Sequence, residues 1–397
     1  MPTSTPLPTL AALDTSDKRV LCRVDLNVPI NKGVISDDTR IQAILPTLNH
    51  LRKSGAKTIL ASHLGRPKGR HAAGLSLRPI AKHLSTLINA PVVFTEVSTG
   101  ICASAAITAL PPGGVLLLEN LRFHRDEKNN VETFVEQLSE LADCFVNDAF
   151  GVMHREHASV VGLPSKLPAA IGLLVEKELT ALQQLREKPK KPFSVILGGA
   201  KVSDKISMIE TFSSRADNIF IGGAMAYTLL KAKGISVGAS RVEDDQIELA
   251  QTLIELCEAR GATLHLPIDH VVADEFSKTA EASTVKEIGE GHIGLDIGPK
   301  TVQAWGKILK KSKTVLWNGP LGVFEWENFS GGTRGIAELL AKSKSHTVVG
   351  GGDSAAAVKA IGIEEKFNHI STGGGAALEY LSTGKLSGLS AMEQQND

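Results

Sequence analysis

Short β-branched and leucine-rich runs recur along this chain, each ending in polar or glycine-rich positions and each followed by a stretch with helical spacing. In the first half the runs are 20–24, 58–61, 92–94, 115–118 and 144–146, and in the second they are 194–197, 218–221, 263–266, 314–317 and 347–349. Runs that are apolar at nearly every position, rather than alternating, predict strands covered on both faces. Alternating with helices, they indicate parallel sheets in an α/β fold. Ligands of such sheets bind beyond the carboxyl ends of the strands, and the chemically informative residues of this chain fall there.

Residues 171–187 carry apolar side chains at 171, 174, 175, 179, 182 and 185 with charges between them, the period of a helix. Lys188-Pro189-Lys190-Lys191-Pro192 then stops it. At 1.5 Å per residue this predicts a connecting helix of roughly 25 Å. The expected organisation is a first domain over 1–170, the hinge helix over 171–187 and a second domain over 188–384. The tail, 385–397, is expected to pack back on the first domain. Residues 97–118 are free of charge, but Pro111-Pro112-Gly113-Gly114 interrupts them, so they read as a helix, a turn and a strand rather than a membrane span.

A length of 397 residues suits two domains. Lys plus Arg and Asp plus Glu are both 43, so no chain-wide basic field is available for nucleic acid. Neutrality hides an asymmetry, because 10 of the 15 arginines lie in residues 1–175 and 26 of the 37 glycines in the remainder. The arginine fork suits phosphate and carboxylate, and glycine lets a backbone approach a nucleotide. The four cysteines, Cys22, Cys102, Cys144 and Cys257, form no metal-like spacing. No secretory signal pattern opens the chain, and a cytoplasmic location is expected.

Neither standard nucleotide fingerprint applies. There is no GxxxxGK[ST] loop, and Gly289-Glu290-Gly291-His292-Ile293-Gly294 follows a charged stretch instead of a buried strand, so it reads as a loop. The glycine-rich strand ends carry more: Gly198-Gly199-Ala200-Lys201, Gly222-Gly223-Ala224, Asn318-Gly319-Pro320, Gly350-Gly351-Gly352-Asp353-Ser354 and Gly373-Gly374-Gly375. One such pair makes a tight turn. Five on one domain suggest a phosphate edge, since helix N-termini favour anions. Lys201 and Lys205 are four apart and would share a face if the helix has begun by Lys201. Asp353 reads as a helix N-cap or as an oxygen ligand for Mg²⁺. In the first half, basic groups at the same positional type suit a compact anion with phosphate and carboxylate character.

Seven blocks in order complete the picture: Arg23-Val24-Asp25-Leu26-Asn27-Val28-Pro29, Ser62-His63-Leu64-Gly65-Arg66-Pro67, Glu119-Asn120-Leu121-Arg122, Asn147-Asp148-Ala149-Phe150-Gly151, Leu197-Gly198-Gly199-Ala200-Lys201-Val202, Trp317-Asn318-Gly319-Pro320 and Gly350-Gly351-Gly352-Asp353. Over about residues 18–388 the chain closely resembles the phosphoglycerate kinase family. The resemblance implies two Rossmann-like doubly wound parallel-sheet lobes joined by a helix hinge. One lobe would bind 3-phosphoglycerate or 1,3-bisphosphoglycerate and the other Mg·ADP or Mg·ATP. By matching position, Asp25, Asn27, Arg40, His63, Arg66, Arg122 and Arg155 would hold the triose. Lys205 and Glu325 would contact the nucleotide, Gly351, Gly352 and Ser354 would line its phosphates, and Asp353 would hold Mg²⁺. Lys201 and Asn318, at the same strand ends, join the nucleotide set.

Transfer would then rest on Arg40, Lys205 and the helix N-termini after Gly352 and Gly375, with hinge closure excluding water and no general base. A monomer is expected. The chain departs from the family at Ser354, where Thr is usual, at Val152, Met153 and Glu156 around Arg155, and at Leu386-Ser387-Gly388, which lacks the usual proline. A non-catalytic two-lobed binding protein is the alternative. It would need neither the lysine pair nor Asp353. A nucleotide-dependent dehydrogenase is disfavoured by the misplaced GxGxxG.

Overall fold

Six strands of the first half, Arg19–Val24 (β1), Lys57–Ala61 (β2), Val92–Phe94 (β3), Val115–Leu117 (β4), Cys144–Asp148 (β5) and Ala169–Ile171 (β6), form one sheet in the order β3-β4-β2-β1-β5-β6. Every neighbouring pair is parallel. The computed structural model describes residues 7–31 and 33–394. These divide into two units, the first built from residues up to Thr180 together with those from Gly384, the second from Ala181–Thr383.

The apolar runs became strands because both faces are covered. Val20, Cys22, Leu60 and Val146 pack with Leu48 and Leu51 of the helix Leu45–Lys53 and with Ile80 and Leu84 of the helix Arg78–Leu87. Burying one such side chain is worth about 1.5–3 kcal/mol, whereas strand propensity spans only about 1 kcal/mol. Burial therefore decides where each strand lies.

In the second unit Phe193–Leu197 (β7), Asn218–Ile221 (β8), Thr263–His265 (β9), Thr314–Asn318, His346–Gly350 and His369–Ile370 make another six-stranded parallel sheet. A separate antiparallel sheet, His270–Ala273 (β10), Ser283–Val285 (β11) and Ile293–Ile297 (β12), precedes the last three of these, which are β13, β14 and β15. The order of the large sheet is β9-β8-β7-β13-β14-β15. Its core gathers Ile196, Phe220, Trp317 and Val349 around Trp305, Ile336 and Leu340. Two doubly wound α/β units are thus present, and the antiparallel sheet is an addition that the apolar runs did not announce. The Gly289–Gly294 stretch is the connection into β12, and its last two residues belong to that strand. No helix among the described residues is long and apolar enough to cross a membrane.

The connecting helix is Leu173–Glu187, shorter than the expected 171–187. Ile171 is instead the last residue of β6, in register with Asn147, and the Gly172 N–H donates to the Asn147 carbonyl at 2.9 Å. The helix then starts on side chains of unit 1: Thr47 Oγ1 accepts from Leu173 N at 2.9 Å, and Asp148 Oδ1 accepts from Leu174 N at 2.9 Å and Val175 N at 3.3 Å. These acceptors satisfy N–H groups that no helix can satisfy for itself. A Cβ on Gly172 would lie 2.2 Å from that same Asp148 oxygen, so the carboxylate excludes any larger residue there. At the other end of the chain, the helix Ser387–Glu393 docks through Gly388, whose N–H donates to the Met153 carbonyl at 2.8 Å.

Asp148 is fully buried, and its Oδ2 has no hydrogen-bond partner. Burial pushes its carboxyl up to about 7, against the opposing pull of the hydrogen bonds from Thr47, Val175 and Leu174. A carboxyl with a raised folded-state pKa binds more protons folded than unfolded, so its contribution to stability falls as pH rises from its unfolded value toward 7. The limit is about 1.4 kcal/mol per pH unit. Between pH 5 and pH 8, urea unfolding followed by circular dichroism is expected to show the wild type losing about 2 kcal/mol relative to Asp148→Asn. Parallel stability curves would refute this account of the helix start.

Candidate functional site

The candidates of unit 1 follow strand ends. β1 leads into Asp25 and Asn27, and β2 into His63, Gly65 and Arg66. Arg40, from the short helix Thr39–Ala43, reaches back so that Nη1 donates to Asp25 Oδ2 at 3.0 Å and to the Asn27 carbonyl at 3.1 Å. Asn27 Oδ1 accepts from Gly65 N at 2.9 Å, and Arg122 Nη1 donates to the Gly65 carbonyl at 2.8 Å. Asn120 completes the scaffold: its Oδ1 accepts from Leu64 N and Arg122 N, while its Nδ2 donates to the Leu64 and Leu75 carbonyls. Gly65 is needed here, since φ is +60° and a Cβ would meet Leu75 Cδ2 at 2.7 Å. Asp25, Asn27, Arg40 and Arg122 are thereby joined into one set, and His63 Nδ1 lies beside it, 4.0 Å from Asp25 Oδ1. Arg66 and Arg155 are exposed and form no ion pair among the described residues.

The electrostatics of this set are those of crowded cations. His63 is held well below the ordinary histidine range by burial, then by Arg23, Arg122, Arg40 and His157. Burial and Arg23 lower Arg122 to about 10, and its buried Nε lacks a partner. His157 falls to about 3 by burial, Arg23, Arg122 and Arg155, and His154 to about 4 by burial and Arg155. Arg155, though unpaired, thus acts on the same cluster. An anion placed among these groups would relieve the repulsion.

Sequence reasoning passed over four residues. Arg23 is completely buried within β1. Its Nε donates to Ser159 Oγ at 2.8 Å, Nη1 to the Val24 carbonyl, and Nη2 meets His63 Nδ1 at 3.2 Å. Glu127, also buried, accepts from both the amide and the hydroxyl of Ser159, and lies 3.9 Å from His157 Nδ1. A lone arginine inside an otherwise apolar run was the available signal for Arg23. Ser159, Glu127 and His157 gave none, because Glu127 sits in the short helix Arg125–Lys128 and the other two at the start of the helical turn Ala158–Gly162, away from any strand end.

In unit 2 the glycine-rich ends interlock. A Cβ on Gly198 would lie 2.1 Å from the Pro320 carbonyl oxygen, and Gly319, at φ +100°, is equally close to the Gly198 oxygen. Only glycine permits this approach. Around it lies a cavity of about 460 Å³ lined by Gly199, Gly223, Leu295, Val323, Glu325 and Asp353, among others. Gly294, the last glycine of the GxGxxG stretch, also lines it, as part of a strand and not of a phosphate loop.

The lysine geometry differs from expectation. The helix is Ile206–Ser213, with Lys205 as its N-cap residue, so Lys201 is not helical and the two do not share a helix face. Lys201 is exposed, whereas Lys205 is partly buried and donates through Nζ to Asn318 Oδ1. Burial lowers the Lys205 pKa, opposed by Asp204 and Asp353. The loop between them is held by Glu243, whose Oε2 accepts from Val202 N at 2.6 Å and Ser203 N at 3.2 Å and whose Oε1 accepts from Ser203 Oγ at 2.6 Å.

Asp353 is not a cap. Gly351, at φ +92°, caps the helix Gly352–Ile361, and Asp353 stands exposed in its first turn. Gly352 lies at this helix N-terminus, and Gly375 begins the helix Gly375–Thr383. Ser354 is buried, and its hydroxyl accepts from Gly319 N at 2.6 Å, so that oxygen secures the Asn318–Gly319 turn.

Residues 10–385 match the family model described as phosphoglycerate kinase. A protein named phosphoglycerate kinase from Clostridium botulinum (strain Kyoto / Type A2) is 47% identical over 388 residues, which span 96% of this chain and 98% of the relative. The solved phosphoglycerate kinase of Coxiella burnetii is 36% identical with a TM-score of 0.88, covering 99% of this chain and 100% of its own. That of Pyrococcus horikoshii OT3 is 32% identical with a TM-score of 0.87, over 98% and 99%.

Hydrogen bonds to a charged acceptor contribute about 1.5–3 kcal/mol. Glu243→Ala is therefore expected to speed hydrogen exchange at the Val202 and Ser203 amides tenfold or more while leaving β7 unchanged. Equal protection in both proteins would show that the carboxylate does not hold the loop.

Proposed function

The chain belongs to the phosphoglycerate kinase family, and on that premise we propose that its two units divide one phosphoryl transfer between them. The reaction is the reversible, glycolytic transfer from 1,3-bisphosphoglycerate to ADP, giving 3-phosphoglycerate and ATP. What supports the division is chemical: cations and imidazoles cluster in unit 1, while glycine-rich strand ends surround a cavity in unit 2. Arg40, His63, Arg66, Arg122 and Arg155, with Asp25 and Asn27, bind the triose. Lys201, Lys205, Asn318, Gly351, Gly352 and Ser354 attend the nucleotide phosphates, and Glu325 attends the ribose. The non-catalytic alternative is not favoured, because relatives alike over nearly the whole chain are named kinases.

Phosphoryl transfer needs little covalent help from a protein, so positioning and charge stabilisation carry it. Arg40, Lys205 and the helix N-termini at Gly352 and Gly375 neutralise the equatorial oxygens in flight. The acceptor is a phosphate in one direction and a carboxylate in the other, and neither calls for a general base. Asp353 would hold Mg²⁺ arriving with the nucleotide, which would supply charge neutralisation on the phosphates. The donor set fits that role. A single exposed carboxylate, with no group of three or more candidate ligands among the described residues, suits a metal completed by phosphate and water.

The groups assigned to the two substrates belong to different units, and hinge closure about the connecting helix would exclude water from the acyl phosphate. The protein acts as a monomer. Four unpaired cysteines, three of them buried, suit a reducing cytoplasm.

A coupled assay of ATP formation tests the reading. Lys205→Ala is expected to lower kcat about 100-fold, the scale of one lost charge-stabilising donor, with triose KM within twofold. Arg66→Ala should raise triose KM instead, leaving nucleotide KM alone. The reverse pattern would invalidate the assignment of the units. Closure has its own measurement: small-angle scattering should give a smaller radius of gyration with both ligands than with either alone, and an unchanged radius would sink the hinge.

A further inference from the structure

A guanidinium enclosed in an apolar strand loses several kcal/mol of hydration unless its protons find acceptors. Arg23 finds three, and their identity has a directional consequence. Arginine can only donate. Its Nε–H therefore occupies Ser159 Oγ as acceptor, at 2.8 Å, and the serine proton is directed to Glu127 Oε1 at 2.6 Å. Glu127 Oε2 takes the Ser159 amide at 3.1 Å. All three residues are fully buried, so water does not compete for these bonds. The relay has one sense: Arg23 to Ser159 to Glu127.

The other end of Arg23 fixes a proton as well. Nη2 meets His63 Nδ1 at 3.2 Å, and since Nη2 must donate, Nδ1 must accept. The ring proton of a neutral His63 then sits on Nε2. Burial and the surrounding cations keep that ring neutral. The opposite tautomer would point an Nδ1–H toward Asp25, but Asp25 Oδ1 is 4.0 Å away, beyond hydrogen-bond reach. Asp25 is already engaged by Arg40.

We propose that Glu127 and Ser159 are positioning residues that, through Arg23, lock His63 in the Nε2–H tautomer, so that it offers a neutral donor to an oxygen of the bound triose. This rests on the reading of the unit 1 cluster as the triose site. A neutral donor has a specific use there. Beside Arg23, Arg122 and Arg40, a further positive charge would add repulsion in the empty protein, whereas an oriented N–H adds none and still recognises a phosphate or carboxylate oxygen. Glu127 supplies the negative charge that lets Arg23 be buried, and Ser159 sets the angle at which the guanidinium is held.

The test reads the tautomer directly. In full-length protein labelled with ¹⁵N-histidine and free of ligand, long-range ¹H–¹⁵N spectra, with His63 assigned by His63→Gln, should show Nδ1 unprotonated and Nε2 protonated. An Nδ1–H form in the wild type would overturn the proposal without any further variant. Ser159→Ala and Glu127→Gln should each give a tautomer mixture and raise the KM for 3-phosphoglycerate about tenfold, with kcat and the KM for ATP changed less than threefold. A general loss of structure would move all three kinetic constants together. A pure Nε2–H signal with unchanged KM in both variants would equally overturn it. The underlying site reading fails separately, if 3-phosphoglycerate leaves the His63 signals of the wild type unperturbed.

Discussion

Unit 1 is organised around a positive charge that cannot reach water. Arg23 lies between Cys22 and Val24 in the central strand, with no exposed surface. The sheet can close only where an imidazole, a hydroxyl and a carbonyl are already turned toward the guanidinium. Two of these acceptors come from other elements, His63 after β2 and Ser159 from the helical turn Ala158–Gly162, and the third is Val24 of β1 itself. Satisfying one buried ion therefore aligns the segments around His63 and Ser159 with β1, which leads into Asp25 and Asn27. Glu127 is drawn inward by the same requirement, because several buried cations without a counter-charge would repel one another through a low-dielectric interior.

Unit 2 reaches an anion-ready edge by a different route. Its strand ends bring backbone rather than guanidinium groups together, and the close approach of Gly198 to the 319–320 turn leaves no room for side chains. One ammonium, on Lys205, is partly buried and steadied by Asn318, while Asp353 stands free on the first turn of a helix. Fixed dipoles with one anchored cation suit a nucleotide that brings its own metal. A dense cation cluster suits a small anion that brings none.

Much of this was legible in the chain. Ten apolar runs gave ten strands of the two parallel sheets, since burial on both faces leaves a continuous signature. The edge strands β6 and β15 escaped because Ala169-Ala170-Ile171 and His369-Ile370 each offer a single β-branched residue and no β-branched or leucine-rich run. The antiparallel sheet escaped because β11 is largely exposed and polar, and β10 carries a histidine. At the site, strand-end residues such as Asp25, His63 and Asp353 could be named from position alone. The Lys201 geometry could not, because where a helix begins depends on acceptors such as Glu243, 41 residues from Val202. Ser159 and Glu127 are likewise defined by long-range partners, 136 and 32 residues along the chain.

The departures from the family pattern separate by burial into packing and solvent. Val152 and Met153 are buried, Val152 packing with Ala149 and Val160, and the Met153 carbonyl accepts from Gly388 N of the C-terminal helix, so the larger side chains around Arg155 are taken up in packing. A Cβ at Gly388 would sit 3.1 Å from that carbonyl oxygen and 2.9 Å from Val160 Cγ1. The helix can therefore approach this closely because glycine stands at 388, and no proline is needed to dock it. Glu156 is exposed, and its charge is screened by water before it reaches the cluster. Ser354 keeps the one atom that the turn uses, the hydroxyl oxygen holding Gly319. These substitutions leave the electrostatic plan intact: a chain of zero net charge concentrates arginine where the counter-charge is a buried carboxylate, and glycine where it is the backbone.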